Sequence, residues 1–282
     1  MMSKEIRGFS KLSKKEKIEW LTAKYFKSKI KAKETLTKYW NSDKILQKLH
    51  DEFSENTLSN FYLPFAIAPN FLINNKIYTI PMTIEESSVV AAASKAAKFW
   101  MNHGGFKAEV IKTEKIGQIH FLYSGDKKYI YNYFEFVKPL LFKNTKTITK
   151  KMNSRGGGII DIKLIDKTSE LNNYYQIFAT FDTIDAMGAN FINSCLEEFS
   201  QIFTSSIPKF NNDNLKSKDV DIIMSILSNY VPNCVVKSEL SCSVKELNKL
   251  ESKTKNFANR IVKAVEIANT DIHRAVTHNK GI

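Results

Sequence analysis

The chain of 282 residues carries 42 Lys and Arg against 29 Asp and Glu, which gives a formal net charge of +13. Its length fits about two domains, with cores large enough to exclude a need for disulfide or metal staples. The basic surface favours a polyanionic partner, but no zinc finger or aromatic-rich nucleic-acid motif accompanies the lysines. Three cysteines without CxxC spacing, no signal core and no membrane-length apolar run predict a reduced, soluble, cytoplasmic protein.

Helical periodicity runs through residues 11–50. Ser13 followed by Glu16 predicts a capping box at the start of the first helix, because the serine and the glutamate can each satisfy the other's exposed backbone N–H. Trp20 and Trp40 are interpreted as packing residues.

A hairpin is predicted next. Phe71–Ile73 and Lys76–Ile80 are apolar runs separated by Asn74-Asn75. Two asparagines tolerate the left-handed backbone of a two-residue primed turn, so these runs are expected to pair as antiparallel strands.

The stretch 81–106, PMTIEESSVVAAASKAAKFWMNHGGF, places two acids and two serines before a run of small residues. It predicts a helix over Glu85–Trp100, with Ser87 or Ser88 as cap, Glu85 as an exposed capping acid and Gly104-Gly105 at its end. The small side chains would let another backbone approach closely.

Beyond residue 106 the chain reads as alternating strands and helices. Strands are predicted at Ala108–Ile111, Gln118–Tyr123, Ile159–Leu164, Tyr174–Phe181 and Cys234–Leu240, and helices at Tyr129–Phe142, Asn193–Phe203 and, as one long amphipathic helix, over residues 247–268. The glycines at 156–158 predict a turn and lack the spacing of a P-loop. Gly188, between a strand and a helix start, suits an anion site at the helix N-terminus, and a plain connection remains the alternative.

Four segments occur in a specific order: ENTL leading into LPFAIAPNFLIN, PMTIEESSVVAAAS followed by GGF, DAMGAN, and DIHRAVTHNKGI. In this order they resemble the 3-hydroxy-3-methylglutaryl-coenzyme A (HMG-CoA) reductases, in particular the soluble bacterial-type, class II branch. The resemblance covers nearly the whole chain. It implies an α+β fold in which a helical and mixed substrate-binding domain, 1–107 and 217–282, holds an inserted small ferredoxin-like nucleotide-binding domain, 108–216.

The resemblance also assigns site residues by position. It implies the catalytic residues Glu86 and Lys280, the substrate-binding residues Ser88 and Arg274, and the cofactor-binding residues Asp185, Met187, Gly188 and Asn190. The implied reaction reduces a thioester to an alcohol with NADH or NADPH and needs no metal. The lysine would stabilise an oxyanion, the glutamic acid would donate a proton, and the arginine would bind a carboxylate. HMG-CoA, mevalonate and coenzyme A are the implied ligands, and a homodimer with its active site at the subunit interface is the implied assembly.

Three departures from the family pattern stand out. Ser59 replaces a usual glycine and Ser87 a usual proline, and the chain stops two residues after Lys280, before the family's catalytic aspartate and C-terminal histidine. We therefore expect a truncated chain with little or no reductase turnover. Two alternatives stay open: a non-catalytic coenzyme A- or nucleotide-binding remnant, and a basic nucleic-acid binder supported by charge alone.

Overall fold

The computed structural model describes residues 6–210, 219–250 and 255–278. These residues form two compact units, one up to Gly105 and again from Ser241, the other between Phe106 and Leu240. The sequence predicted an inserted domain over residues 108–216, which ends before residue 217. The inserted unit extends further because two strands after residue 219 pair with its central strand.

The first unit begins with three short helices. They are α1 (Lys14–Tyr25), α2 (Lys29–Lys38) and α3 (Lys44–Asp51), after a 3-10 turn at Phe9–Lys11. The predicted capping box is confirmed: Glu16 N donates to Ser13 Oγ at 3.3 Å, and Ser13 N donates to Glu16 Oε2 at 2.7 Å. Trp20 packs edge-on against Phe9, with ring centroids 5.2 Å apart, which confirms its packing role.

The predicted hairpin is confirmed as β1 (Phe65–Ile73) and β2 (Lys76–Thr83), an antiparallel pair. Asn74 and Asn75 have φ of 48° and 67°, the left-handed values that the tight turn requires. The register shifts between Ala68 and Phe71, so Pro69, which has no N–H to donate, lies at a bulge.

Helix α4 (Val89–Met101) begins later than predicted, because Ser88 takes a left-handed conformation with φ of 73°. Neither serine provides a side-chain cap there, and Glu85 precedes the helix by a whole turn, so its prediction as a capping acid was wrong. The predicted glycine end is confirmed, since Gly105 N donates to Trp100 O at 2.8 Å. A β-carbon on Gly105 would lie 2.7 Å from Leu72 Cγ, so this glycine lets the helix end approach β1.

The unit closes with α8 (Val244–Leu250), α9 (Phe257–Thr270) and α10 (Ile272–His278). The prediction of one continuous helix over 247–268 was wrong. Asn256, just before α9, has a left-handed φ of 54°, and its carbonyl accepts the first bond of that helix from Arg260 N at 3.1 Å. A residue in this conformation cannot continue a right-handed helix.

The described residues of the second unit form one antiparallel sheet and three α-helices, with a 3-10 turn at Ile207–Lys209. In chain order they are β3 (Lys107–Tyr123), α5 (Lys127–Asn144), α6 (Lys146–Asn153), β4 (Gly158–Asp166), β5 (Tyr174–Asp182), α7 (Ala189–Ser205), β6 (Val220–Leu227) and β7 (Cys234–Glu239). The sheet order is β4-β5-β3-β6, with β7 pairing the first half of β3. The two strands predicted within 108–123 are therefore one.

This topology confirms the predicted ferredoxin-like fold, since β3, α5, β4, β5, α7 and β6 follow the β-α-β-β-α-β pattern. Helices α5 and α7 supply one side of the core and the sheet supplies the other. The fully buried side chains include Ile119, Phe121, Ile177, Phe181, Val137, Leu141, Phe199 and Phe203. Their burial makes β5 and the start of α7 a rigid support for the loop between them.

Candidate functional site

The loop between β5 and α7 contains the four predicted cofactor-binding residues. Gly188 occupies the position before the helix with φ of 78°, and no acidic side chain lies in the first turn of α7. No side chain caps this end, so the first N–H groups of the helix can meet an anion. The prediction of a strand that turns through Gly188 into a helix N-terminus is confirmed at the level of local structure.

Two side chains hold the loop from inside. Thr183 is fully buried, and its Oγ1 donates to Ala186 O at 2.7 Å. Asp182 Oδ1 accepts from Thr113 Oγ1 at 2.8 Å and from Ile184 N at 2.7 Å. Ile184 adopts a left-handed φ of 56°, which a β-branched residue avoids unless its surroundings impose it. Strain of this kind collects at functional loops.

The remaining motif side chains face solvent. The side chain of Asp185 is 79% exposed, Met187 is 79% exposed and Asn190 is exposed. The loop therefore presents an acid, a flexible apolar side chain and an amide beside the open N–H groups of α7. These side chains can offer a ligand hydrogen bonds and an apolar contact.

The sequence did not predict the contribution of the glycine turn before β4. A β-carbon on Gly157 would lie 2.5 Å from Asp182 O, so the turn packs directly against the end of β5, where the loop to α7 begins. Arg155, at the start of this turn, forms an ion pair with Asp185. No local signal marks this contact, since the partners lie 30 residues apart in the chain.

Glu86 and Ser88 lie in the exposed segment between β2 and α4. Within the described parts of the chain, the Glu86 side chain has no hydrogen bond or ion pair. The Ser88 hydroxyl caps nothing, although Ser88 O accepts from Ala92 N at 2.9 Å. Both side chains are thus available to a ligand.

Arg274 lies on α10 with an exposed side chain, and its backbone N donates to Asp271 Oδ1 at 2.8 Å. No hydrogen bond or ion pair links it to Glu86 in the described structure. Lys280 lies outside the described residues. The pairing of Glu86 with Lys280 and Arg274 stays a prediction.

The described residues include neither a metal-binding cluster nor a membrane-spanning helix. No three His, Cys, Asp or Glu side chains among them come together in a way that could hold a metal ion. No helix in the same ranges combines the length and apolarity that crossing a membrane requires.

Residues 13–282 match the family model for hydroxymethylglutaryl-coenzyme A reductase. The 3-hydroxy-3-methylglutaryl-coenzyme A reductase of Archaeoglobus fulgidus is 30% identical over 100% of this chain, which spans 60% of that relative's length.

Solved structures give the same relationship. The class II 3-hydroxy-3-methylglutaryl-CoA reductase of Streptococcus pneumoniae, bound to NADPH in open conformations, superposes with a TM-score of 0.69 at 29% identity. That match covers 97% of this chain and 70% of the pneumococcal one. A second structure of the pneumococcal enzyme gives a TM-score of 0.68 at the same identity and coverage.

Proposed function

Since the chain belongs to the hydroxymethylglutaryl-coenzyme A reductase family, we propose that it serves the NAD(P)H-dependent interconversion of HMG-CoA with mevalonate and coenzyme A. The family-model match over residues 13–282 carries this proposal. The loop that contains Gly188, before α7, supports it. The reaction would belong to mevalonate and isoprenoid metabolism, in the soluble, cytoplasmic class II branch.

The second unit is proposed as the cofactor domain, with Asp185, Met187, Gly188 and Asn190 around the dinucleotide. The absence of a side chain at Gly188 leaves room at the open end of α7, where N–H groups and the helix dipole attract phosphate. The nicotinamide group would supply the hydride. The net charge of +13 complements a dinucleotide and the phosphates of coenzyme A.

The first unit is proposed as the substrate domain. The planar guanidinium of Arg274 can bind the methylglutaryl carboxylate with two hydrogen bonds, and the Ser88 hydroxyl can add a third contact. Glu86 would act as proton donor to the reduced carbon's oxygen. Lys280, outside the described residues, would stabilise the oxyanion that develops there.

A homodimer is proposed as the working assembly. The first unit exposes several large apolar side chains along its hairpin: Phe65 at 76%, Ile67 at 56% and Ile77 at 61%. Apolar surface of this kind is typical of surfaces that another protein covers. In the family arrangement, the substrate domain of one subunit would meet the cofactor domain of its partner.

The test compares Glu86→Gln with Glu85→Gln, two neighbouring exposed acids of which only the first is proposed to be catalytic. With HMG-CoA and either NADPH or NADH, Glu86→Gln should abolish any turnover that the parent chain shows, whereas Glu85→Gln should keep it within about twofold. Equal losses in both variants would contradict the assignment.

A thermal-shift measurement beside the turnover assay distinguishes the reductase from a non-catalytic coenzyme A-binding protein. Thermal stabilisation by coenzyme A, without any change at the nicotinamide absorbance band, would identify a binding protein that performs no hydride transfer. Oxidation of the cofactor that depends on HMG-CoA supports the reductase.

A further inference from the structure

The corner between α1 and α2, residues 24–31, concentrates positive charge. It contains four lysines and no acid. Lys27, Lys29 and Lys31 are exposed, and none of them forms an ion pair with a residue that the structure describes. The corner therefore presents positive charge that a negatively charged partner can neutralise.

The same corner exposes large apolar side chains. Ile30 is 75% exposed, Tyr25 50% and Phe26 49%. Lysines that alternate with exposed aliphatic and aromatic residues are typical of surfaces that bind at a membrane interface. There the apolar side chains enter the acyl boundary, while the ammonium groups stay among the headgroups.

An apolar groove opens beside these side chains. Its volume is about 290 Å³, and its lining includes Phe26, Ala32 and Leu36. Two of the exposed lysines, Lys27 and Lys31, also line it. A groove with apolar walls and cations beside it matches a molecule that combines an acyl chain with an anionic headgroup.

We propose that the α1–α2 corner is a docking surface for membranes that contain anionic phospholipids. Its exposed lysines contact the lipid phosphates, Ile30 enters the acyl boundary, and the groove at Phe26 receives part of an acyl chain. Attachment of this kind needs no helix that spans the membrane, and it is reversible and sensitive to salt.

Nucleic acid is the other polyanion that a basic surface can bind, but the corner fits lipid better. Proteins that bind single strands stack the bases on aromatic rings. Here the most exposed apolar side chain is the aliphatic Ile30, and the Tyr25 ring already packs edge-on against Trp20, with centroids 5.7 Å apart. An aliphatic side chain gains free energy by leaving water for an acyl environment, but it offers no flat ring for stacking.

The experiment measures, by cosedimentation, how the full chain partitions onto phosphatidylcholine vesicles with and without about 30% phosphatidylglycerol. Binding should require the anionic lipid and should weaken at least about tenfold between roughly 0.05 M and 0.5 M salt. Lys27→Gln/Lys29→Gln/Lys31→Gln should weaken binding roughly 100-fold, about fivefold for each charge. Ile30→Ser should weaken it about tenfold, because it removes an apolar side chain from the acyl boundary.

The matched control is Lys146→Gln/Lys150→Gln/Lys151→Gln, which removes the same charge from α6. These three lysines are exposed, but the large apolar side chains of that helix, Ile148 and Met152, are half-buried and buried. The control should therefore bind within about threefold of the parent. Melting temperatures within about 2 °C of the parent identify variants that remain folded.

Each outcome decides the proposal, and none depends on reductase turnover. Equal losses in the two triple variants would show that net charge alone attracts the protein, and they overturn it. Absence of binding to anionic vesicles, or equal binding to both kinds of vesicle, overturns it as well. Binding of a single-stranded oligonucleotide instead of vesicles assigns the corner to nucleic acid. If the α1–α2 triple variant does not fold, unchanged vesicle binding by the folded Ile30→Ser overturns the proposal.

Discussion

The backbone of Gly188 lies directly against the side chain of Thr183: a β-carbon on this glycine would be 2.8 Å from Thr183 Cβ and 3.1 Å from its Oγ1. Thr183 is fully buried and bonded to Ala186 O, so it cannot move aside without losing that hydrogen bond. The pair makes the shape of the loop between β5 and α7 depend on the absence of a side chain at residue 188.

Gly188→Ala should therefore cost more stability than the same change at Gly156. Both glycines have a positive φ, 78° and 93°, but a β-carbon on Gly156 meets nothing closer than 3.9 Å. We expect the free energy of unfolding to fall by about 2 kcal/mol more for Gly188→Ala, because only this variant adds a steric clash. Urea titration of both variants measures the difference, and equal losses would contradict it.

Ser88→Ala should leave stability nearly unchanged, although Ser88 occupies a helix cap position. Its hydroxyl makes no capping bond, whereas Ser13 accepts one from Glu16 N at 3.3 Å. Ser13→Ala should cost about 1 kcal/mol of unfolding free energy, and Ser88→Ala less than about 0.5 kcal/mol. Chemical denaturation of the two variants checks this contrast.

The same Ser88→Ala variant should bind HMG-CoA about five- to tenfold more weakly, since it removes one hydrogen bond to the ligand. Calorimetric titration of the variant and the parent provides the measurement. A stability loss equal to that of Ser13→Ala, with unchanged ligand affinity, would instead make Ser88 a structural residue.

The three cysteines should divide by reactivity. Cys195 is fully buried on α7, and burial raises the pKa of its thiol to about 12, while Cys234 and Cys242 are partly exposed. Near pH 8, a thiol reagent should modify Cys234 and Cys242 in the native protein and Cys195 only after denaturation, because the thiolate is the reactive form. Rapid reaction of Cys195 in the native state would show that α7 is not packed as described. In a Cys195→Ser variant the thiol that reacts only after denaturation should be missing, which assigns it to Cys195.

Asp166 should make the fold sensitive to acid. Hydrogen bonds, first from Lys127 Nζ and then from Thr168, lower the pKa of this carboxyl to about 2. Because the folded pKa lies below the usual value of about 3.9, the stabilisation is full above pH 4 and is lost as the pH falls toward 2.

We expect Asp166→Asn to lower the unfolding free energy by about 1 kcal/mol at pH 7, a modest figure because the pair lies at the surface, and by much less at pH 2. Urea titrations at the two pH values measure this. Glu170→Gln removes another surface acid, paired with Lys167 at 2.6 Å, and serves as control. An Asp166→Asn loss that is equal at both pH values would contradict the assignment.

Features set by neighbouring residues were predictable. The capping box at Ser13, the hairpin turn at Asn74-Asn75 and the step from β5 through Gly188 each depend on groups within a few positions along the chain. Backbone sterics and local hydrogen bonds decide such features before any tertiary contact forms. The motif DAMGAN was therefore placed correctly on a loop and helix start.

Features that depend on a left-handed residue without a sequence signal, or on the pairing of distant strands, were not predicted. The later start of α4 at Val89, the separate helices on either side of Asn256, and the return of β6 and β7 to the inserted unit all involve a conformation or pairing without a periodic signal. Hydrophobic periodicity reports which face of an element is apolar, and it does not report where the element pairs.

By itself, then, the sequence determined the family and, through that resemblance, the ferredoxin-like order of elements, because the residues of each family motif are adjacent in the chain. Only the tertiary structure decided that the glycine turn packs against Asp182 and that Arg155 meets Asp185. Such contacts arise because sheet pairing brings chain segments 30 residues apart to the same edge, where charge and close packing can act between them.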